Sequence, residues 1–190
     1  MATRVGTRVG VIVGSLRKAA FTRSLSRALP ELAPPSMQLF DIEIGDLPLY
    51  NEDLETADAP AEWTRFRGQV LRSDAILFVT PEYNRGIPGA LKNALDVGSR
   101  PWGRSVWDGK PAAVISQSPG VLGGMAAAHH LRQVLLAVNL AAMPYPEAYI
   151  SSAATLYDDS GRLQSASTRE FMATFLQAFE AWIAKFARSV

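Results

Sequence analysis

The sequence predicts an α/β domain: one parallel β-sheet with helices covering both faces. Three observations carry that prediction. Short apolar runs at 8–13, 75–79 and 110–116 have the length and β-branched content of strands buried on both sides. Each is followed by a turn rich in Gly, Pro or Ser, and each turn leads into a helical pattern. Strands joined by segments of helical length must run parallel, with helices on alternate faces. At 190 residues and 48% apolar content the chain can bury a sizeable core, and a single domain over 1–190 is the expected organisation.

The first strand, Arg8-Val9-Gly10-Val11-Ile12-Val13, runs into Gly14-Ser15-Leu16-Arg17. Phe21, Leu25, Ala28, Leu29 and Leu32 then recur at helical spacing until Pro34-Pro35 stops the helix. Residues 37–42 alternate like a strand. The stretch 45–60, with two prolines and several acids, is too irregular for an element and long enough to serve as a functional loop. A helix over 61–72 precedes the strand 75–79. After the turn that follows, Pro88 can open a helix, because its missing N–H costs nothing in a first turn, and Gly98 and Pro101 end it. The strand 110–116 leads through a glycine-rich turn to a helix over 125–138. Leu140 to Met143 supplies the shortest strand signal, and Phe171, Phe175, Phe179 and Ile183, spaced by four, mark a closing helix. Five such strands fit the flavodoxin-like order 2-1-3-4-5 in a three-layer sandwich, whose ligands sit outside the carboxyl ends of the strands.

Charge and composition narrow the function classes. Lys and Arg total 19 against 18 for Asp and Glu, so nothing pulls the molecule toward nucleic acid or an anionic membrane. There is no cysteine, which removes disulfides, thiolate nucleophiles and Cys-ligated metal, so redox chemistry must come from a bound cofactor. No apolar run reaches the roughly 18 residues of a membrane span. Arg4 and Arg8 precede a valine-rich segment too short for a signal sequence, and the simplest assignment is a soluble cytoplasmic protein.

Two strand-to-turn-to-helix junctions stand out, at 14–17 and 81–88, and suggest a ligand with an anionic end and a flat polar end. Gly14-Ser15-Leu16-Arg17 combines a glycine, a hydroxyl and a guanidinium ahead of a helix, which suits a phosphate; an ordinary turn with a capping Ser and a solvated Arg is the competing reading. This loop has neither a dinucleotide fingerprint nor an NTP P-loop. His129 and His130 are adjacent on a helix and point in different directions, so they read as structural or interface residues rather than metal ligands. Arg85, Arg100 and Arg104 read as surface charge, with the 2′-phosphate of NADPH as a competing role. Lys92 reads as solvent-exposed. Trp102 and Trp107 lie in a segment rich in Gly, Pro and Arg from which an aromatic is expected not to reach the core, and such aromatics mark an interface.

Gly14-Ser15-Leu16-Arg17, Pro81-Glu82-Tyr83-Asn84, the run from Pro88 to Asp96 and Gly123-Gly124 together resemble the NADPH-dependent FMN reductases, over roughly 9–147. That family includes bacterial quinone, azo-dye and chromate reductases. The resemblance implies that Ser15 and Arg17 hold the FMN phosphate with help from Thr22, which stands where the family often has Asn. It implies that Pro81, Glu82, Tyr83 and Asn84 border the isoalloxazine, and that Ser116, Gln117 and the turn through Gly120, Gly123 and Gly124 close the other side of the ring. Tyr83 offers its ring to the flavin or packs on its own helix; Glu82 is a structural acceptor of loop N–H groups rather than an acid catalyst. The implied activity is hydride transfer from NADPH, or NADH, through FMN to a quinone, azo, nitro, flavin or chromate acceptor by a ping-pong cycle, in a homodimer or homotetramer. No catalytic side chain of the protein's own is needed. A flavodoxin-type electron carrier is the alternative, against which stand the near-neutral charge and Arg17.

Overall fold

The strands form because their side chains have nowhere else to go. In the computed structural model, which describes residues 6–186, all six residues of the strand Ala75–Thr80 (β3) and all seven of Pro111–Gln117 (β4) are buried. Thr7–Val13 (β1) is buried from Val9 onward, and Met37–Asp41 (β2) lies at the sheet edge. The order is β2-β1-β3-β4-β5, with every pairing parallel. Arg4 falls outside the described residues.

Helices Phe21–Leu32 (α1), Ala61–Leu71 (α2), Gly89–Gly98 (α3), Met125–Ala137 (α4) and Ala166–Ala184 (α5) divide between the two faces. Alternation along each strand sorts the core into two layers. Ile12, Ile76, Phe78 and Val114 pack with Trp63, Phe66, Leu91 and Leu131 of α2, α3 and α4. Val11, Val13, Leu77, Val79 and Ile115 pack with Leu25, Leu29, Phe175 and Phe179 of α1 and α5. At about 1.5–3 kcal/mol for each large apolar side chain removed from water, these layers dominate the stability of the fold.

Two expectations change. The fifth strand is broken: Ala141–Ala142 (β5) pairs with Pro111 and Ala112, and Ala148–Ile150 (β6) resumes along Ile115–Gln117. Pro144 and Pro146 lie between them, and a residue without an N–H cannot donate to the ladder. Trp107 is a core residue, not a surface aromatic. It is fully buried, its Nε1 donates to the Leu95 carbonyl at 3.0 Å, and its ring meets Phe66 and Phe78 at 5.8 and 6.1 Å. Gly98 makes the room, since a Cβ there would lie 2.4 Å from the indole. Val106 N–H donates to the Gly98 carbonyl and turns the segment inward. Trp102, five residues earlier, is 86% exposed with Arg100 over its ring, as expected of a surface aromatic. Among the described residues no helix is long and apolar enough to cross a membrane.

Candidate functional site

At the carboxyl end of β1, Gly14 N–H still donates to Val79 of β3, and the chain then leaves the sheet. Ser15 is buried; its Oγ shares a hydrogen bond with the Tyr83 hydroxyl at 3.1 Å and accepts from Arg17 N–H at 3.3 Å. The loops after β1 and β3 are thereby joined side chain to side chain. Arg17 is exposed, and none of the ion pairs among the described residues involves it. Helix α1 begins at Phe21 behind Ala20, which gives it no side-chain cap; Arg23 and Ser24 N–H both turn to the Ala20 carbonyl, which leaves the Phe21 and Thr22 N–H groups as the open donors of the first turn. Thr22, in that first turn, is 1% exposed and its Oγ1 has no hydrogen-bond partner. A buried hydroxyl left unpaired costs about 1–3 kcal/mol.

After β3, Tyr83 and Gly86 exchange both backbone hydrogen bonds around Asn84 and Arg85, whose φ values are 51° and 66°. Two successive left-handed residues make a type I′ turn, a conformation that Asn tolerates and Arg enters at a cost. Pro81 and Glu82 are half-buried at its base. Glu82 accepts an N–H bond, as expected, but from Ala127 in the first turn of α4 at 3.2 Å rather than from its own loop; its other oxygen lies 3.7 Å from Arg85. His130 Nδ1 accepts from Ile87 N–H at 3.3 Å, a structural role. Lys92 is exposed and paired with Asp96 at 2.8 Å.

After β4, the Ser116 hydroxyl donates to the Gly123 carbonyl at 2.8 Å and draws the turn back over the strand end. Gly123, at φ 59°, passes so close to β6 that a Cβ would lie 2.6 Å from the Tyr149 carbonyl carbon. Gly124 follows at φ 82° as the N-cap of α4, while Gly120 N–H donates to the Ser118 hydroxyl at 2.9 Å. Gln117 is 1% exposed; its Nε2 donates to the Tyr157 hydroxyl at 2.7 Å, and its Oε1 has no partner. Ser15, Thr22, Pro81, Glu82, Tyr83, Ser116, Gln117, Gly123 and Gly124 therefore converge on one rim, with Arg17, Asn84 and Gly120 at the exposed loop tips.

A family model described as NADPH-dependent FMN reductase matches residues 7–155. The chain belongs to that family. Among these FMN reductases it is 55% identical to a quinone reductase of Pseudomonas putida over 92% of this chain and 94% of the relative. It is 43% identical to a 2-hydroxy-1,4-benzoquinone reductase of a Burkholderia species, over 93% of this chain and 96% of the relative. A solved structure of FerB, a flavoenzyme NAD(P)H:(acceptor) oxidoreductase from Paracoccus denitrificans, superposes with a TM-score of 0.88 at 44% identity, covering 95% of this chain and 98% of that one.

Sequence reasoning missed Tyr157 and Phe21 at this site. Their rings lie 6.0 Å apart and 13° from parallel. Phe21 was legible only as an apolar helix position, and Tyr157 sits in a stretch with no periodic pattern. Burial pushes the Tyr157 hydroxyl up to about 12, so the phenol keeps its proton.

Proposed function

We propose that this protein is an FMN-dependent NAD(P)H oxidoreductase of quinones and similar small acceptors. The observation that carries the proposal is the convergence of three turns at one sheet rim, where two buried polar atoms, Thr22 Oγ1 and Gln117 Oε1, lack partners beside the uncapped start of α1. An anionic tail fits the uncapped N-terminus and Arg17; a flat ring fits the turns after β3 and β4. The family match and relatives named as quinone reductases support the same reading.

Bound FMN supplies the redox chemistry between a nicotinamide donor, NADPH or NADH, and the acceptor. The chain's own residues bind and orient. Arg17, Thr22 and the α1 N–H groups hold the phosphate; Ser15 does so through its backbone and ties that loop to Tyr83. Pro81 to Asn84 border the ring edge where negative charge gathers, with the Glu82 and Asn84 N–H groups as the donors offered to it, since Pro81 has none and Tyr83 N–H is held by the Gly86 carbonyl of the I′ turn. Ser116, Gln117, Gly120, Gly123 and Gly124 wall the opposite side. Trp102, exposed by 86%, lines with Val134, Ala137 and Val138 a groove of about 710 Å³ between α3 and α4 that suits a homodimer, or a tetramer built from dimers. A cytoplasmic enzyme accords with the lack of cysteine.

The test is spectroscopic. Protein purified or reconstituted with FMN is expected to be yellow, to bleach with NADPH under anaerobic conditions, and to recover its colour on adding a benzoquinone. Protein that takes up no FMN, or that holds FMN but is never reduced by either nicotinamide, overturns the reading; the second result leaves an electron carrier.

A further inference from the structure

We infer that Tyr157 is a tail-binding residue of the cofactor site, donating its hydroxyl proton to a phosphoryl oxygen of FMN. The inference rests on the FMN reading above and extends it to a residue two positions beyond the segment matched by the family.

Three observations support it. The first is rigidity. Tyr157 opens a hairpin, bridged to Leu163, whose turn is held by Asp158: one carboxylate oxygen accepts from Ser160 N–H, the Ser160 hydroxyl and Arg162 N–H at 2.9, 2.6 and 2.9 Å, and the other accepts from Gln164 at 2.7 Å. The second is location. The phenol ring stacks on Phe21, the first residue of α1, and so stands beside the helix start that lacks a side-chain cap. The third is hydrogen-bond bookkeeping. The Tyr157 oxygen accepts from Gln117 Nε2 at 2.7 Å, and its own hydrogen has no acceptor among the described residues. A phenol that stays protonated and is fixed on one lone pair is a directed donor.

The other hydroxyls near α1 leave this role open. Ser15 Oγ is already engaged by Tyr83 and Arg17 N–H, and Thr22 Oγ1 can supply only a single proton. Tyr157 is only half-buried, so its hydroxyl can meet a ligand without rearranging the core. Reversing the Gln117 amide would leave the surplus donors on Nε2, which is buried, and the variants below separate the two cases.

The experiment titrates apoprotein with FMN and, separately, with riboflavin, which lacks the phosphate. Tyr157→Phe keeps the ring stack and removes only the hydroxyl. The expected result is FMN binding weakened roughly 10-fold or more, riboflavin binding unchanged, and a melting temperature lowered by a few degrees, because the buried Gln117 amide loses its acceptor. The 31P resonance of bound FMN is expected to shift in the variant. Unchanged FMN affinity in Tyr157→Phe overturns the inference while leaving the FMN reading intact. Equal losses for FMN and riboflavin overturn it too, by making Tyr157 a structural support. Wild-type protein that binds no FMN removes the parent reading, and this one with it.

Discussion

Two loops leave the same rim of the sheet and treat their polar groups in opposite ways. The loop after β2, spanning 42–60, is held from within, and the Tyr50 hydroxyl is its one buried side-chain polar group without a partner. Asn93 of α3 accepts from Tyr50 N–H at 2.8 Å and donates to the Leu47 and Pro48 carbonyls at 3.2 and 3.1 Å. Trp63 Nε1 donates to Pro48, and Arg67 forms a two-pronged pair with Glu55 at 2.7 Å while its Nε holds the Val97 carbonyl. The loop after β1 instead carries an exposed Arg17 that joins none of the ion pairs among the described residues, ahead of a partnerless Thr22 hydroxyl. The contrast teaches where to look for a ligand. Length and irregularity draw attention to 45–60, but a long loop tied down by the Asn93 and Arg67 side chains is scaffold; a short one that leaves a guanidinium outside every ion pair beside a helix start is a site.

Breaking one member of each loop sharpens the comparison. The largest effect is expected from Arg67→Met. The pair it forms with Glu55 is mostly shielded, both side chains being under 15% exposed, and removal strands a carboxylate and the Val97 carbonyl. Unfolding free energy is expected to fall by about 3–4 kcal/mol in denaturant titration, with flavin affinity per folded molecule unchanged. The converse variant, Ser15→Ala with Arg17→Ala, should lose about 3 kcal/mol of FMN binding, roughly 100-fold, and shift the apoprotein melt little. If both variants lose stability and flavin together, the division between scaffold and site is wrong.

Much of this division could be read from the residues, and the exceptions have physical causes. The sheet order followed from apolar runs whose period and length are local properties, and the turns at 14–17, 81–86 and 117–124 followed from Gly, Pro and Ser. Trp107 was misread because its neighbours are Gly, Pro and Arg. The signal that could have placed it was Gly98, a glycine inside a helix with an indole in the space of its absent side chain. The Asn93 bridge spans 43 to 46 residues, and the Gln117–Tyr157 bond spans 40. Contacts of that separation exist only once the layers have packed. Ala148–Ile150 is three residues long, too short to show any period.

Intermediate and smaller effects probe single hydrogen bonds. Asn93→Ala leaves Tyr50 N–H without an acceptor and is expected to cost about 2 kcal/mol, visible as a lowered melting temperature, with the riboflavin and FMN constants moving together or not at all. Thr22→Val is nearly isosteric. Because Thr22 Oγ1 has no partner, apoprotein stability should stay level or rise by up to about 1 kcal/mol, while FMN affinity falls several-fold. A loss of apoprotein stability instead would mean that the hydroxyl serves the fold.

The smallest effect concerns the hairpin that carries Tyr157. The Ser160 hydroxyl, followed by Arg162 and Ser160 N–H and by Gln164, holds the exposed Asp158 carboxyl below its ordinary value. A carboxylate whose pKa is lower in the folded state contributes stability above its unfolded value, near 3.9, and loses that contribution as pH falls through the lower folded value. Wild type and Asp158→Asn should therefore differ by a constant amount in melting temperature between pH 5 and 8, and converge below about pH 4. FMN affinity should follow the same curve if the hairpin is what aims the phenol. A difference that persists undiminished at the acid end would mean that the turn is held by its backbone alone, and that the charge on Asp158 has no part in presenting Tyr157.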